Sequence, residues 1–196
     1  MWIDQLAEEF GLQVELGAYN SVAGLAVFNE EKNERYMLEK RWARGEKTLL
    51  AFLQAPSKAS HIATDRTVTQ LIELAKLHDC DALHVINLSS IIEDDFTNAN
   101  KSYQGRNRTF IETAINNSDM IFLGWGQQGQ LAAQQMPELK ETLLKNKEKL
   151  MAYEVIKEPK INFTYVPIPR VKGHYKKYID QKSRILTKEE LGELFE

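Results

Sequence analysis

The sequence has 196 residues, of which 43% are hydrophobic and 27% are charged, as in ordinary globular chains. This balance excludes a disordered chain, and no run approaches the ~20 apolar residues that a membrane-spanning helix needs. The acids in the N-terminal MWIDQLAEEF argue against a secretory signal, and the single cysteine, Cys80, excludes an internal disulfide. We therefore expect a single α/β domain over 1–196 in a reducing, cytoplasmic setting, without membrane association.

Charge is unevenly distributed along the chain. The net charge is −3, but residues 157–184 contain eight basic and two acidic residues, a net +6, which leaves −9 for the rest. A smaller basic cluster lies within residues 101–108. The pattern is typical either of two oppositely charged surfaces that both face solvent, or of a basic surface that contacts phosphate groups on an otherwise acidic protein. The sequence leaves both interpretations open.

Residues 1–45 predict a helix followed by a β-hairpin. Trp2, Leu6 and Phe10 recur at spacings of four, which indicates an amphipathic helix over 2–10. Residues 21–28 and 34–42 are typical of two strands, and the turn sequence NEEKN between them predicts that they pair as a hairpin.

Residues 46–170 predict alternating strands and helices. Apolar runs indicate buried strands at 48–53, 82–88, 120–125 and 161–168, and amphipathic patterns indicate helices at about 66–78, 106–117, 129–135 and 137–150. This order predicts a three-layer α/β sandwich with a central, mostly parallel sheet. A basic loop and a C-terminal helix, opened by a capping box of Thr187 and Glu190, would complete the chain over 171–196.

A polar or proline-containing segment follows each predicted strand, at 54–57, 87–90, 125–127 and 167–174. Because the carboxyl ends of parallel strands meet at one edge of a sheet, we expect these segments to converge there, where open α/β sheets bind ligands. The candidate ligand-binding residues are Gln54, Pro56, Ser57, Asn87, Trp125 and Gly126. The candidate phosphate-binding residues are Lys58, Arg66, Lys172, Lys176 and Lys177.

Four short motifs in this region resemble the bacterial domain of unknown function 1643 family. The family pattern reads N-P-S-x-A, then D-x-T, N-L and W-G. The matching residues are Pro56, Ser57, Ala59, Asp65, Thr67, Asn87, Leu88, Trp125 and Gly126. The sequence departs from the pattern at Ala55, where the family has Asn, and its C-terminal signature is reduced to Gly173-His174-Tyr175.

The same four motifs are more distantly similar to those of the uracil-DNA glycosylase superfamily, which implies a glycosylase-like fold. In such enzymes an Asn reads the base edge, a loop after the first strand holds the attacking water, and a late His stabilises the departing base. By this resemblance the roles would fall on Asn87, the 54–57 loop and His174. The resemblance is at the level of the fold and does not establish an activity.

The individual residues leave several roles open. The Asn87 amide can both donate to and accept from the edge of a base, or its side chain can instead hydrogen-bond to the turn that follows it. Asp65 is the nearest acid to the first loop and is also placed to cap a helix. Asp65 and His174 are the candidate catalytic residues. The histidine spacing matches no zinc motif, and we expect no metal or cofactor.

These observations predict a protein that binds a nucleobase, nucleotide or nucleic acid at the carboxyl edge of the sheet, with catalysis left open. One alternative is a hydrolase or transferase acting on a free nucleotide, with Asp65 and His174 as an acid–base pair. Another is a non-catalytic interaction module. The sequence does not determine the ligand or the oligomeric state.

Overall fold

The structure is a computed structural model that describes residues 1–93, 105–167 and 183–195. The helices in the described ranges are α1 (Trp2–Glu9), α2 (Arg66–Leu77), α3 (Arg106–Asn117), α4 (Gly126–Ala133), α5 (Pro137–Lys145) and α6 (Lys188–Phe195). The strands are β1 (Gln13–Tyr19), β2 (Val22–Phe28), β3 (Arg35–Arg41), β4 (Thr48–Leu53), β5 (Ala82–Asn87), β6 (Met120–Leu123), β7 (Leu150–Ala152), β8 (Ile156–Lys157), β9 (Asn162–Phe163) and β10 (Arg184–Ile185).

Eight of these strands form one mixed sheet in the order β1-β2-β3-β5-β4-β6-β7-β10. The central strands β5, β4, β6 and β7 are parallel, and the flanking pairings are antiparallel. Strand β5 is buried along its whole length and β4 in all but its last residue, as expected for strands covered on both faces. The predicted parallel core is therefore confirmed, within a sheet that is mixed as a whole.

Helices cover both faces of the sheet. On one face α1, α3, α4, α5 and α6 pack on alternate strand residues such as Leu50, Phe52 and Ile86. On the other face α2 packs on the intervening residues, which include Leu49 and Val85. The alternation of strand side chains between two apolar clusters gives three layers, as the sequence predicts.

The predicted N-terminal hairpin is present and is larger than expected. Strand β2 pairs antiparallel with β3, and β1, which the sequence did not predict, pairs antiparallel with β2 at the sheet edge. Most residues of β1 are exposed, so the strand lacks the alternation of buried and exposed residues on which the sequence prediction relies. The three strands extend the sheet beyond its parallel core.

The prediction of a fourth parallel strand at 161–168 is wrong. That place is taken by β7, and residues 162–163 form β9, which pairs with β8 in a separate two-stranded sheet. Helix α5 ends at Lys145, and a short 3-10 turn leads directly into β7. Three buried residues are too few to show the periodicity of a strand, and the helix predicted over 137–150 extends into the first of them, Leu150.

The loop over 54–65 lies against the sheet on the α2 side. A Cβ atom built on Gly24 of β2 would lie 1.8 Å from the carbonyl oxygen of His61, so only glycine allows this approach. The ammonium of Lys40 on β3, itself buried, donates to the same carbonyl oxygen at 2.8 Å. The sheet thus fixes the loop that follows β4.

Within the residues that the structure describes, no helix combines the length and the apolar character needed to cross a bilayer.

Candidate ligand-binding site at the carboxyl edge

Three of the predicted strand ends meet at the carboxyl edge of the parallel core. Leu53 and Asn87 are paired in parallel register, and the Ser89 amide donates to the Gln54 carbonyl at 3.0 Å. Trp125 lies just beyond the carboxyl end of β6 and forms an antiparallel bridge with Tyr165. The segment after Pro167, including His174, lies outside the described residues. The convergence predicted for Gln54, Asn87 and Trp125 is confirmed at the level of the backbone.

A buried arginine contacts Asn87 at this edge. Arg35 is the first residue of β3, and because β3 runs antiparallel to β5 its start lies where β5 ends. Its Nη2 donates to Asn87 Oδ1 at 3.3 Å, and its Nη1 donates to the Ala59 carbonyl in the 54–65 loop at 2.6 Å. Since a guanidinium can only donate, this contact assigns the oxygen of the Asn87 amide to Arg35.

Two buried donors at this edge have no hydrogen-bond partner among the described residues: Asn87 Nδ2 and Arg35 Nε. Both side chains are only 2% exposed. Native proteins satisfy nearly all buried donors, and one left without a partner costs about 1–3 kcal/mol. An acceptor supplied by a ligand or a water molecule would remove that cost, which makes these two donors the most informative feature of the edge.

Asp65 occupies the N-cap of α2. One carboxylate oxygen accepts from the Val68 amide at 2.7 Å, and the other accepts from the Ser57 hydroxyl. The capping alternative raised by the sequence is therefore what the structure shows, with Ser57 as an additional partner. Each of the two carboxylate oxygens is thus engaged in a hydrogen bond within the protein.

The electrostatic balance of the cluster is positive. Burial lowers the pKa of Arg35 to about 10, although the nearby Asp65 carboxylate acts in the opposite direction. Burial, reinforced by the charge of Arg35, also lowers the pKa of Lys40. Arg35 remains charged near neutral pH, and the direct partners of both side chains are carbonyl and amide oxygens rather than carboxylates. This environment favours acceptor or anionic groups.

Trp125 is part of the core rather than of an exposed wall. Its side chain is 1% exposed, its ring packs edge-on to Phe52 at 5.0 Å, and its Nε1 donates to Gln130 at 2.9 Å. Gly126 follows it as the first residue of α4. The core alternative is what the structure shows for this side chain, because an indole with its N–H bonded to a buried amide is fully satisfied where it lies.

The other candidate residues fall into three groups. Gln54 and Ser57 are half-buried in the loop, and Pro56 is buried. Lys58 and Arg66 are exposed, and Lys58 lies 3.4 Å from Glu93. Lys172, Lys176 and Lys177 lie outside the described residues, as His174 does. The structure thus brings Ser57, Asp65, Asn87 and Arg35 together, and leaves the two exposed cations at the rim. The binding roles of all these residues stay predictions.

Arg35 is the residue that sequence reasoning missed. It is the second residue of the strand predicted over 34–42, and nothing in a single sequence shows which neighbour that strand will join. The available signal was a basic residue near the start of the predicted strand, which also contains the basic residues Lys40 and Arg41. That signal becomes informative only once β3 is known to pair antiparallel with β5.

Among the described residues, no three His, Cys, Asp or Glu side chains come together in a way that could hold a metal ion. The side chains at the carboxyl edge are instead hydrogen-bond donors, an amide and a capped carboxylate.

The fold and the site define a three-layer α/β protein with a cluster of buried polar groups at the carboxyl edge of a parallel core. Residues 35–162 match the family model described as "Protein of unknown function (DUF1643)", and the chain belongs to that family. The matched range begins at Arg35 and includes Ser57, Asp65 and Asn87. No curated protein and no solved structure matches the chain.

Proposed function

We propose that this protein binds a nucleobase, a nucleotide or the end of a nucleic acid at the carboxyl edge of its sheet, in a fold related to the uracil-DNA glycosylases. The single observation that carries the proposal is the buried Asn87 Nδ2, a donor without a partner among the described residues. Nucleobases carry ring nitrogen and carbonyl acceptors, and nucleotides add phosphate oxygens. Each of these acceptors would satisfy the donor.

The Arg35–Asn87 contact supports the proposal further. Oδ1 accepts from Arg35, and Nδ2 is the polar atom of the amide without a partner among the described residues, so we expect the ligand to present an acceptor to Nδ2. Arg35 Nε offers a second donor in the same cluster, and the positive balance around Lys40 favours a ligand with an oxygen-rich or anionic part. The exposed Lys58 and Arg66 would add phosphate contacts at the rim.

The capped carboxylate favours binding over catalysis as the primary role. A hydrolase or transferase would use Asp65 with His174 in proton transfer, whereas the Asp65 carboxylate already has a structural role as the cap of α2 and the acceptor of the Ser57 hydroxyl. We therefore rank a binding role above the acid–base alternative.

We also infer a cytoplasmic location, because the single cysteine, Cys80, is a buried free thiol.

The experiment that tests the proposal is a thermal-shift screen of the full chain. The probes are the free bases, the nucleoside monophosphates, and short single- and double-stranded DNA, each at low and high salt. A ligand that binds the native state raises the midpoint of unfolding with concentration, by the free energy of occupancy. We expect at least one base-containing probe to do so, and no shift with any of them would contradict the proposal.

The rival functions give different patterns in the same screen. If the ligand is nucleic acid, affinity falls steeply with salt, and the double variant Lys176→Glu/Lys177→Glu weakens it. If the ligand is a free nucleotide, that double variant changes little. A protein-interaction module without a nucleotide site gives no shift with any probe, and Asn87→Ala leaves its partner bound.

A further inference from the structure

The opposite edge of the sheet contains a cavity of about 650 Å³, which we call the amino-edge cavity. It opens where β4 starts and β3 ends, at the far side of the sheet from Asn87. Its volume lies in the range of small-molecule sites. Its lining includes the aromatic and charged or titratable residues Trp2, Glu39, Arg41, Glu46, His84 and Asp119.

A buried acid and a buried histidine form one part of the cavity lining. His84 Nε2 lies 2.7 Å from Glu39 Oε2, and Arg41 Nε donates to Glu39 Oε1 at 3.2 Å. Burial alone would raise the pKa of Glu39, but the bonds from His84 and Arg41 outweigh it and hold the pKa at about 2. The carboxylate is therefore ionised and accepts the Nε2 proton. The other ring nitrogen, Nδ1, is buried without a hydrogen-bond partner among the described residues.

The charged groups in the cavity lining that have no partner of opposite charge among the described residues are negative on balance. Of the three cations in the lining, Arg41 is paired with Glu39 and the N-terminal ammonium of Met1 is paired with Asp4 at 3.1 Å. The third, Lys47, donates to the His78 carbonyl at 2.7 Å. Glu46 and Asp119 are exposed and form no ion pair within the described ranges. Asp119 uses only its Oδ2, which accepts from the Thr48 amide at 2.8 Å.

An aromatic side chain completes the lining. Trp2 is half-buried, and its ring meets the His84 ring edge-on with 6.1 Å between centroids. An indole face beside free carboxylates is the combination that attracts organic cations, because the ring quadrupole and the acids act in the same direction.

We propose that the amino-edge cavity binds a small organic ammonium ion, with its N–H groups on Asp119 and its apolar part against Trp2. This site is separate from the carboxyl-edge site, and it stands whether or not a nucleotide binds there. The carboxylates in its lining select cations, whereas the carboxyl edge selects acceptors.

The proposal is tested with three probes of similar shape and different charge: benzylamine, benzyl alcohol and benzoate. Binding to the full chain is measured by isothermal titration at low salt and neutral pH. We expect benzylamine to bind about fivefold or more tightly than benzyl alcohol, the value of one partly screened charge interaction, and benzoate to bind more weakly than both. Equal affinities for the three probes, or no binding of benzylamine, would overturn the proposal.

Two variants locate the binding. Asp119→Asn keeps an oxygen for the Thr48 amide and removes the charge, so the fold should persist while benzylamine affinity falls about fivefold. Glu30→Gln removes an exposed acid in the turn between β2 and β3 and should leave the affinity unchanged. Equal effects of the two variants would show nonspecific attraction to an acidic protein and would reject the site. Trp2→Leu should weaken benzylamine without reversing the order of the three probes.

Discussion

The two edges of the sheet bury charged side chains in opposite ways. At the amino edge, Glu39 is an ionised acid whose two oxygens are both bonded, by His84 and Arg41. At the carboxyl edge, Arg35 is a cation that bonds to neutral oxygens and leaves its Nε without a partner among the described residues. The first arrangement satisfies its acid internally, and the second leaves donors for something else.

The comparison shows that burial of a charge does not by itself mark a binding site. A buried acid with two charge-assisted bonds is explained by the fold alone. A buried amide and guanidinium that each leave a donor unmatched are not, and they lie at the edge where parallel sheets bind ligands. The contrast also predicts that the edges prefer ligands of opposite character.

The largest expected effect is the loss of stability on replacement of Arg35. Replacement by Met leaves the Ala59 carbonyl and Asn87 Oδ1 buried without their donor, which should lower the free energy of unfolding by about 3 kcal/mol. Urea denaturation measures the change. Arg44→Met, at an exposed position, is the control and should cost less than about 0.5 kcal/mol. Equal costs for the two variants would mean that Arg35 does not hold the 54–65 loop.

An intermediate effect is expected at Glu39. Its pKa lies below the ordinary value near 4.5, so its stabilisation is complete above about pH 4.5 and is lost as the pH falls toward 2. Glu39→Gln should cost about 2 kcal/mol at pH 7 and should flatten this part of the pH profile. Stability measured between pH 7 and 2.5 for both proteins checks the prediction. Parallel profiles would show that the Glu39 pKa is not lowered.

The smallest effect separates two roles of Asp65. Asp65→Ala removes the cap of α2 and should cost about 1 kcal/mol, whereas Asp65→Asn keeps the cap and should stay within about 0.5 kcal/mol. Thermal unfolding of the two variants tests the capping role. If Asp65 only caps, Asp65→Asn binds the ligand as the unmodified protein does. A large loss of binding in this stable variant would instead indicate that the charge contacts the ligand.

Much of the fold could be predicted because the pattern is strong where strands are long and buried. Strand β4 begins and ends where its apolar run does, and α3 matches its predicted range. Strands β1 and β7 were missed for physical reasons. The first is largely exposed, and the second is only three residues long beside a helix with a similar apolar stripe.

The candidate site was only partly accessible to sequence reasoning. The strand ends that carry Gln54 and Asn87 follow from the parallel core, so their proximity could be predicted. The Arg35 contact could not, because it depends on antiparallel pairing between β3 and β5. The burial of Trp125 depends on Gln130 and on packing against Phe52, which no short motif encodes.

The most direct test of the account is the affinity of Asn87→Asp for whichever base-containing ligand gives the strongest thermal shift. Aspartate can still accept from Arg35, so the fold should persist, but it replaces the free donor with an acceptor. Asn116→Asp is the matched control, an exposed position whose side-chain oxygen already accepts a hydrogen bond from Asn146.

Isothermal titration should show a loss of at least about tenfold for Asn87→Asp and no change for Asn116→Asp, because a buried donor is exchanged for a repelling oxygen. Unchanged affinity in a folded Asn87→Asp protein would contradict the claim that the Asn87 donor contacts the ligand.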